Sequence, residues 1–203
     1  MTAETDINWV QRQTNMTNLE IDNSGLIERA RSDPDAFAKL YLRHYENVFK
    51  YCTHRLFESH CAEEVTSTVF FKVMYNLDSF EGTEIDFRNW LLRIATNAVN
   101  DYLRDAQKRK EILQKAAINI RTQSTIVIDC DEKLLEKKAF LQKALLSLKP
   151  KYQAVITLRF FENMKLTEIA ACLGKNPSTV RTWLDRACEK LRKKLQAAVG
   201  NGG

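Results

Sequence analysis

The segment from Leu166 to Arg186, LTEIAACLGKNPSTVRTWLDR, constrains this chain more than any other. Ile169, Ala170 and Leu173 recur at helical spacing and Gly174 supplies a stop. Asn176-Pro177 then reads as a cap followed by proline at the first helical position, where its missing N–H costs nothing. The expectation is two short helices joined by a tight turn, with Ala170 small enough to let them approach closely. Val180, Leu184 and Ala187 take the inner face of the second helix, which leaves Ser178, Thr179, Arg181, Thr182, Asp185 and Arg186 outside. Most of these are types that bond phosphates or base edges in a DNA major groove, so the pattern reads as a helix-turn-helix. The bland alternative is a helical hairpin with a solvated, charged face.

Charge placement bears on that choice. The formal net charge is only +5, with 44% hydrophobic and 28% charged residues in 203, ordinary values for one medium or two small globular domains. From Lys149 to Lys194, however, eleven Lys and Arg face four acids (Glu162, Glu168, Asp185, Glu189), whereas residues 1–25 carry one Arg against four acids. The basic end is a candidate polyanion surface, because neutralising phosphates releases counterions. No run approaches the roughly 18 apolar residues of a membrane span and the polar N-terminus has no signal-peptide pattern, so a cytoplasmic protein without membrane insertion is expected. Five cysteines (Cys52, Cys61, Cys130, Cys172, Cys188) without a C-x-x-C pair argue against a disulfide framework or zinc ribbon. His54, His60 and Cys61 lie close in sequence but lack a metal-site spacing, so no metal is expected.

Elsewhere the periodicity is helical. Asp33-Pro34 opens a helix with Phe37, Leu40, Tyr41, His44, Val48, Cys52 and Leu56 on one face. A second runs from about Cys61 to Asn76 with Ala62, Val65, Val69, Val73 and Leu77 inward. After a loop from Asp78 to Asp86, a third runs from Phe87 to about Arg109 with Phe87, Trp90, Leu91, Ile94, Ala98 and Tyr102 on its apolar stripe, Trp90 being read as core. Residues 111–131 change character: Ile118-Asn119-Ile120 and Ile126-Val127-Ile128 are β-branched islands without a helical stripe, read as linker, since an isolated hairpin is marginal in water. From Glu132, Leu134, Leu141, Leu145 and Leu148 mark another helix, broken at Lys149-Pro150, and a short helix with Val155, Leu158 and Phe161 leads into the helix-turn-helix. The predicted fold is all-α: a helical domain over 25–110, a flexible linker over 111–131 and a second helical domain over 132–197, flanked by a polar extension over 1–24 and a tail over 198–203.

Three stretches in this order, AEEVTSTVFFKVMYNLDSF (62–80), FRNWLLRIATNAVNDYLR (87–104) and ALLSLKPKYQAVITLRFFENMKLTEIAACLG (144–174), resemble regions two and four of the extracytoplasmic-function (ECF) class of bacterial sigma factors of the sigma-70 family. The resemblance covers most of residues 26–195. It implies a subunit that binds core RNA polymerase at its clamp and flap, recognises two separated promoter elements and helps open the DNA. In region four it implies that Ser178, Thr179, Arg181, Thr182 and Arg186 contact the upstream element, with Lys165 and Thr167 holding the backbone at a helix N-terminus. In region two it implies that Phe80, Glu81, Gly82 and Thr83 capture a flipped base. Arg88, Asn89, Arg93, Asn97, Asn100 and Arg104 would line the melted downstream strand, where amides and guanidinium groups suit base edges and phosphates. Glu63 and Glu64 match the acidic pair that meets the polymerase clamp, and Ser67-Thr68 stand where relatives commonly have Gln-Glu. Read by themselves, Glu63 and Glu64 are acids near a helix N-terminus, offsetting its dipole. An anti-sigma protein is a further partner class that the resemblance suggests.

Two other functions compete. A helix-turn-helix activator or repressor with an N-terminal sensor or dimerisation domain shares the C-terminal pattern, but has no need of an amide- and Arg-rich helix over 87–104. An enzyme built on His44, His54 and His60 is disfavoured, because no Gly-rich phosphate loop, H-E-x-x-H, nucleophile elbow or carboxylate pair occurs. No catalytic residue and no cofactor is expected.

Overall fold

A computed structural model of the chain describes residues 25–115 and 132–199, and all regular elements among them are helices. In chain order these are α1 (Leu26–Arg29), α2 (Pro34–Leu56), α3 (Ser59–Asn76), a 3-10 turn (Leu77–Ser79), α4 (Glu84–Lys115), α5 (Glu132–Leu146), α6 (Pro150–Ile156), a π-helical turn (Thr157–Phe161), α7 (Leu166–Leu173) and α8 (Pro177–Val199). The polar extension, residues 200–203 of the tail and the β-branched islands lie outside the described residues, and α8 continues through Val199 into the segment read as tail.

The described residues divide into two compact units, one up to Leu40 and one from Tyr41 onward. In the first, Gly25 takes the left-handed conformation (φ 81°) ahead of α1, and the Asp33 carboxylate accepts the Asp35 amide at 2.9 Å, capping the helix that Pro34 opens.

In the second unit, α3 packs along α4, and Val65, Val69 and Val73 are buried there with Phe87, Leu91, Ala95 and Val99. Helix α3 begins two residues earlier than its hydrophobic stripe predicts, because Glu58 caps it by accepting the amides of His60 (2.9 Å) and Cys61 (2.6 Å). Glu63 and Glu64 therefore fall beyond the first turn, and the dipole-offset reading of them fails. Helix α4 likewise begins before Phe87. Thr83 and Asp86 form a reciprocal cap, the Asp86 carboxylate accepting the Thr83 amide (2.9 Å) and hydroxyl (2.7 Å). At its other end α4 continues through Lys115, into the segment read as linker.

The C-terminal helices bury Leu145, Leu148, Val155, Leu158, Met164, Ile169, Val180 and Ala187, close to the predicted stripes. Leu141 departs from its stripe and is exposed, and Phe161 is partly exposed, with its ring 4.3 Å from that of His54. At Gly174 (φ 61°) α7 ends in a Schellman turn, where the Lys175 amide donates to the Ala170 carbonyl at 2.9 Å. Helix α7 packs against both α8 and α4, so the helix-turn-helix and α4 share one unit.

Candidate nucleic-acid and polymerase interfaces

On α8, Ser178, Arg181, Thr182 and Arg186 are exposed and Thr179 is half-buried, while Val180 and Ala187 are fully buried beneath them. The Thr182 hydroxyl donates to the Ser178 carbonyl at 3.0 Å, leaving its lone pairs to accept. Lys165 and Thr167 are exposed at the start of α7, where the Glu168 carboxylate accepts the Lys165 amide at 2.6 Å. Asp185 is exposed on the same helix as Arg181 and Arg186.

The loop before α4 and the first turns of that helix enclose a cavity of about 410 Å³. Ser79, Phe80, Glu81, Asp86, Asn89, Trp90, Arg93 and Ala171 line it. Its floor is aromatic: Phe80 stands edge-on to Phe87 at 5.4 Å and tilted against Trp90 at 5.2 Å. Phe80 is only 5% exposed, so it is a fixed wall rather than a residue free to read a base, because that aromatic cluster claims most of its surface. Trp90, expected in the core, belongs to the same cluster. Glu81 lines the cavity, and it and the neighbouring Gly82 and Thr83 of the loop are exposed. Gly82 holds φ 145°, and a Cβ there would collide with Asp86, so the cap and the glycine fix the loop together. The Thr83 amide and hydroxyl hold the Asp86 carboxyl below the usual range, which keeps the cap ionised.

The six polar residues expected along α4 divide. Asn89 and Arg93 face the 410 Å³ cavity, and Asn97 is exposed one turn further on. The others are engaged. Arg88 donates to the Glu162 carbonyl at 3.0 Å, Asn100 accepts from the buried Arg55 at 2.8 Å, and Arg104 pairs with Asp101 at 2.9 Å. Burial raises the pKa of Glu162 although the Arg88 charge opposes it. Burial also pushes the Cys172 thiol up to about 12 and that of Cys52 up to about 11, so both stay protonated at neutral pH.

Along α3, Glu63, Glu64, Ser67 and Thr68 are all exposed. The same face continues through Phe71 (62% exposed), Met74 (54%) and Tyr75 (81%), which sequence reading did not single out. The signal was present in FFKVMYN: once Val69, Phe70, Val73 and Leu77 fill the inner side, Phe71, Met74 and Tyr75 fall on the outer side of the helix. Phe71, Met74 and Tyr75 thus form an exposed apolar patch beside the polar one.

The described residues thus present a helix-turn-helix, a cavity walled by aromatic rings and a helix face with a polar and an apolar part. Residues 40–109 match the family model for sigma-70 region 2, and residues 141–191 that for sigma-70 region 4. The chain is 31% identical over 175 residues to the ECF RNA polymerase sigma factor SigW of Bacillus subtilis, covering 82% of this chain and 92% of SigW. It is 30% identical over 171 residues to the ECF sigma factor BldN of Streptomyces coelicolor, covering 84% of this chain and 64% of BldN, so it spans a little under two thirds of that relative. Among solved structures, the fold is similar to CnrH bound to the cytosolic domain of CnrY (TM-score 0.62, 23% identity, 85% of this chain and 96% of that one). It is also similar to Bartonella quintana RpoE bound to the anti-sigma factor NepR (TM-score 0.59, 20% identity, 79% and 96%). The chain belongs to the ECF class of RNA polymerase sigma factors within the sigma-70 family. No helix among the described residues is long and apolar enough to cross a membrane.

Proposed function

We propose that this chain joins core RNA polymerase through the outer face of α3, seats α8 in the major groove of an upstream promoter element and holds an unpaired base of a downstream element in the cavity before α4. The observation that carries this reading is the placement of that cavity: about 410 Å³, aromatic beneath and polar at the rim, which is the construction an extruded base requires. Glu81 and Asn89 offer an acceptor and an amide for a base edge, Thr83 and Gly82 set the loop that carries them, and Arg93 with the exposed Asn97 supplies groups for the strand's phosphates. Ser178, Thr179, Arg181, Thr182 and Arg186 supply the duplex contacts, with Lys165 and Thr167 positioning the backbone. Glu63, Glu64, Ser67 and Thr68 form the polar part of the polymerase face and Phe71, Met74 and Tyr75 its apolar part.

An anti-sigma protein is the expected regulator, supported by the similarity to CnrH and RpoE, each solved with such a partner or a cytosolic domain. The test is reconstitution with core polymerase followed by sequencing of transcript 5′ ends from a genomic template. Starts concentrated at defined sites sharing two spaced elements are expected, and starts indistinguishable from core polymerase by itself would discard the reading.

A further inference from the structure

A second cavity, of about 270 Å³, opens between α4 and the C-terminal helices, and no carboxylate lines it. Arg93 of α4, Lys151 of α6 and Lys175 of the turn before α8 converge there beside Asn97, Asn100 and Trp183. None of the three cations forms an ion pair among the described residues; the Lys151 ammonium rests over the Trp183 ring at 5.1 Å.

An independent observation lies behind the wall. Arg55 is 1% exposed and bonds only to neutral groups, the Tyr51 hydroxyl at 2.7 Å and the Asn100 carbonyl oxygen at 2.8 Å, while its Nε has no partner. Because the Asn100 oxygen accepts from Arg55, its NH2 is the half left to donate to an occupant of the cavity. The three cations are exposed to solvent and the fourth is buried behind them, so the cavity gathers positive charge with no carboxylate in its lining and focuses an attractive potential on a small polyanion.

We propose that this cavity binds a diphosphate group, either as free pyrophosphate or as part of a nucleoside diphosphate, and that the bound anion holds α6 to α8 against α4. The guanidinium fork and two ammonium groups supply more positive charge than a single phosphate neutralises. The cavity is at the small end for ligand sites, which suits a compact anion. Arg93 and Asn97 also belong to the strand-reading surface proposed above, so competition between the anion and melted promoter DNA rests on that reading, whereas the site itself does not.

The experiment uses the full chain without polymerase or DNA, in isothermal titration calorimetry at physiological ionic strength, with pyrophosphate and ADP in separate arms. Saturable one-to-one binding is expected, weakened at least about tenfold by Lys151→Ala with Lys175→Ala. It should be unaffected by Lys190→Ala with Lys194→Ala, which removes two cations from the exposed end of α8. ADP binding about tenfold tighter than pyrophosphate assigns the site to a nucleotide, and equal affinities assign it to the free anion. Absence of saturation in both arms, or an equal loss in the α8 control pair, overturns the proposal.

Discussion

The Arg93 guanidinium lies across Gly174, so closely that a Cβ added to the glycine would collide with its Nη2. Two effects meet there: the left-handed φ of 61° that ends α7 and the passage of a side chain from α4 over the turn. The obstacle is the mobile end of a long side chain, so the backbone term dominates. Gly174→Ala should cost about 1–2 kcal/mol in urea unfolding. Adding Arg93→Ala should recover less than about 0.5 kcal/mol of it, and recovery of the whole loss would show that steric exclusion governs the turn instead.

Tyr51 links the buried Arg55 to Thr96, accepting from the guanidinium and sharing a 2.7 Å bond with the threonine hydroxyl. Tyr51→Phe preserves the ring and leaves the buried charge with one fewer acceptor. A loss of about 1.5–3 kcal/mol in unfolding free energy is expected, while a loss below about 0.5 kcal/mol would mean that water reaches Arg55.

His44 is buried with its ring 5.2 Å from Phe87, and its Nε2 has no partner. Burial lowers its pKa, the Arg43 charge lowers it further and Glu84 opposes. The folded chain therefore holds His44 neutral over a range in which the unfolded chain binds a proton. Its contribution is complete above about 6.5 and is lost as pH falls toward the lower folded value. His54 shifts in the same direction, through burial and then Lys50. The urea midpoint should fall between pH 7.5 and 5.5, with a shallower fall in His44→Phe; parallel profiles would remove His44 as a source.

Phe71 and Tyr75 are exposed on α3, whereas Val73 between them is fully buried. Phe71→Ser with Tyr75→Ser should leave stability within about 0.5 kcal/mol and weaken capture of core polymerase about tenfold or more. Val73→Ala should do the reverse, costing stability through the cavity it leaves. Polymerase binding unchanged in the double variant would move the docking face elsewhere.

Arg181 and Arg186 extend from the exposed side of α8. Replacing each by Ala should cost about 1–3 kcal/mol of upstream-element binding where it contacts a base, with a smaller salt slope where it contacts a phosphate. Holoenzyme footprinting across a salt series distinguishes the two, and an unaltered footprint in both variants would remove α8 from the groove.

Local rules made much of this chain legible before any coordinates. Gly174 and Asn176-Pro177 placed the turn, the spacing of Val65, Val69 and Val73 placed the inner face of α3, and the set of motifs placed both sigma regions. Each depends on neighbours within a few residues, where propensity and periodicity act. The engagement of side chains did not follow from spacing. Arg88, Asn100 and Arg104 share a helical pattern with Arg93 and Asn97, yet the first three are occupied by Glu162, Arg55 and Asp101. Phe80 sits in a loop by sequence and in an aromatic cluster by packing. Helix order and the outward residues of α8 were therefore determined by the sequence itself, through contacts of short range. Which polar groups stay available to a ligand, and that two cavities flank Arg93, was decided only when segments dozens of residues apart packed together, because burial and hydrogen-bond partnership are properties of that packing.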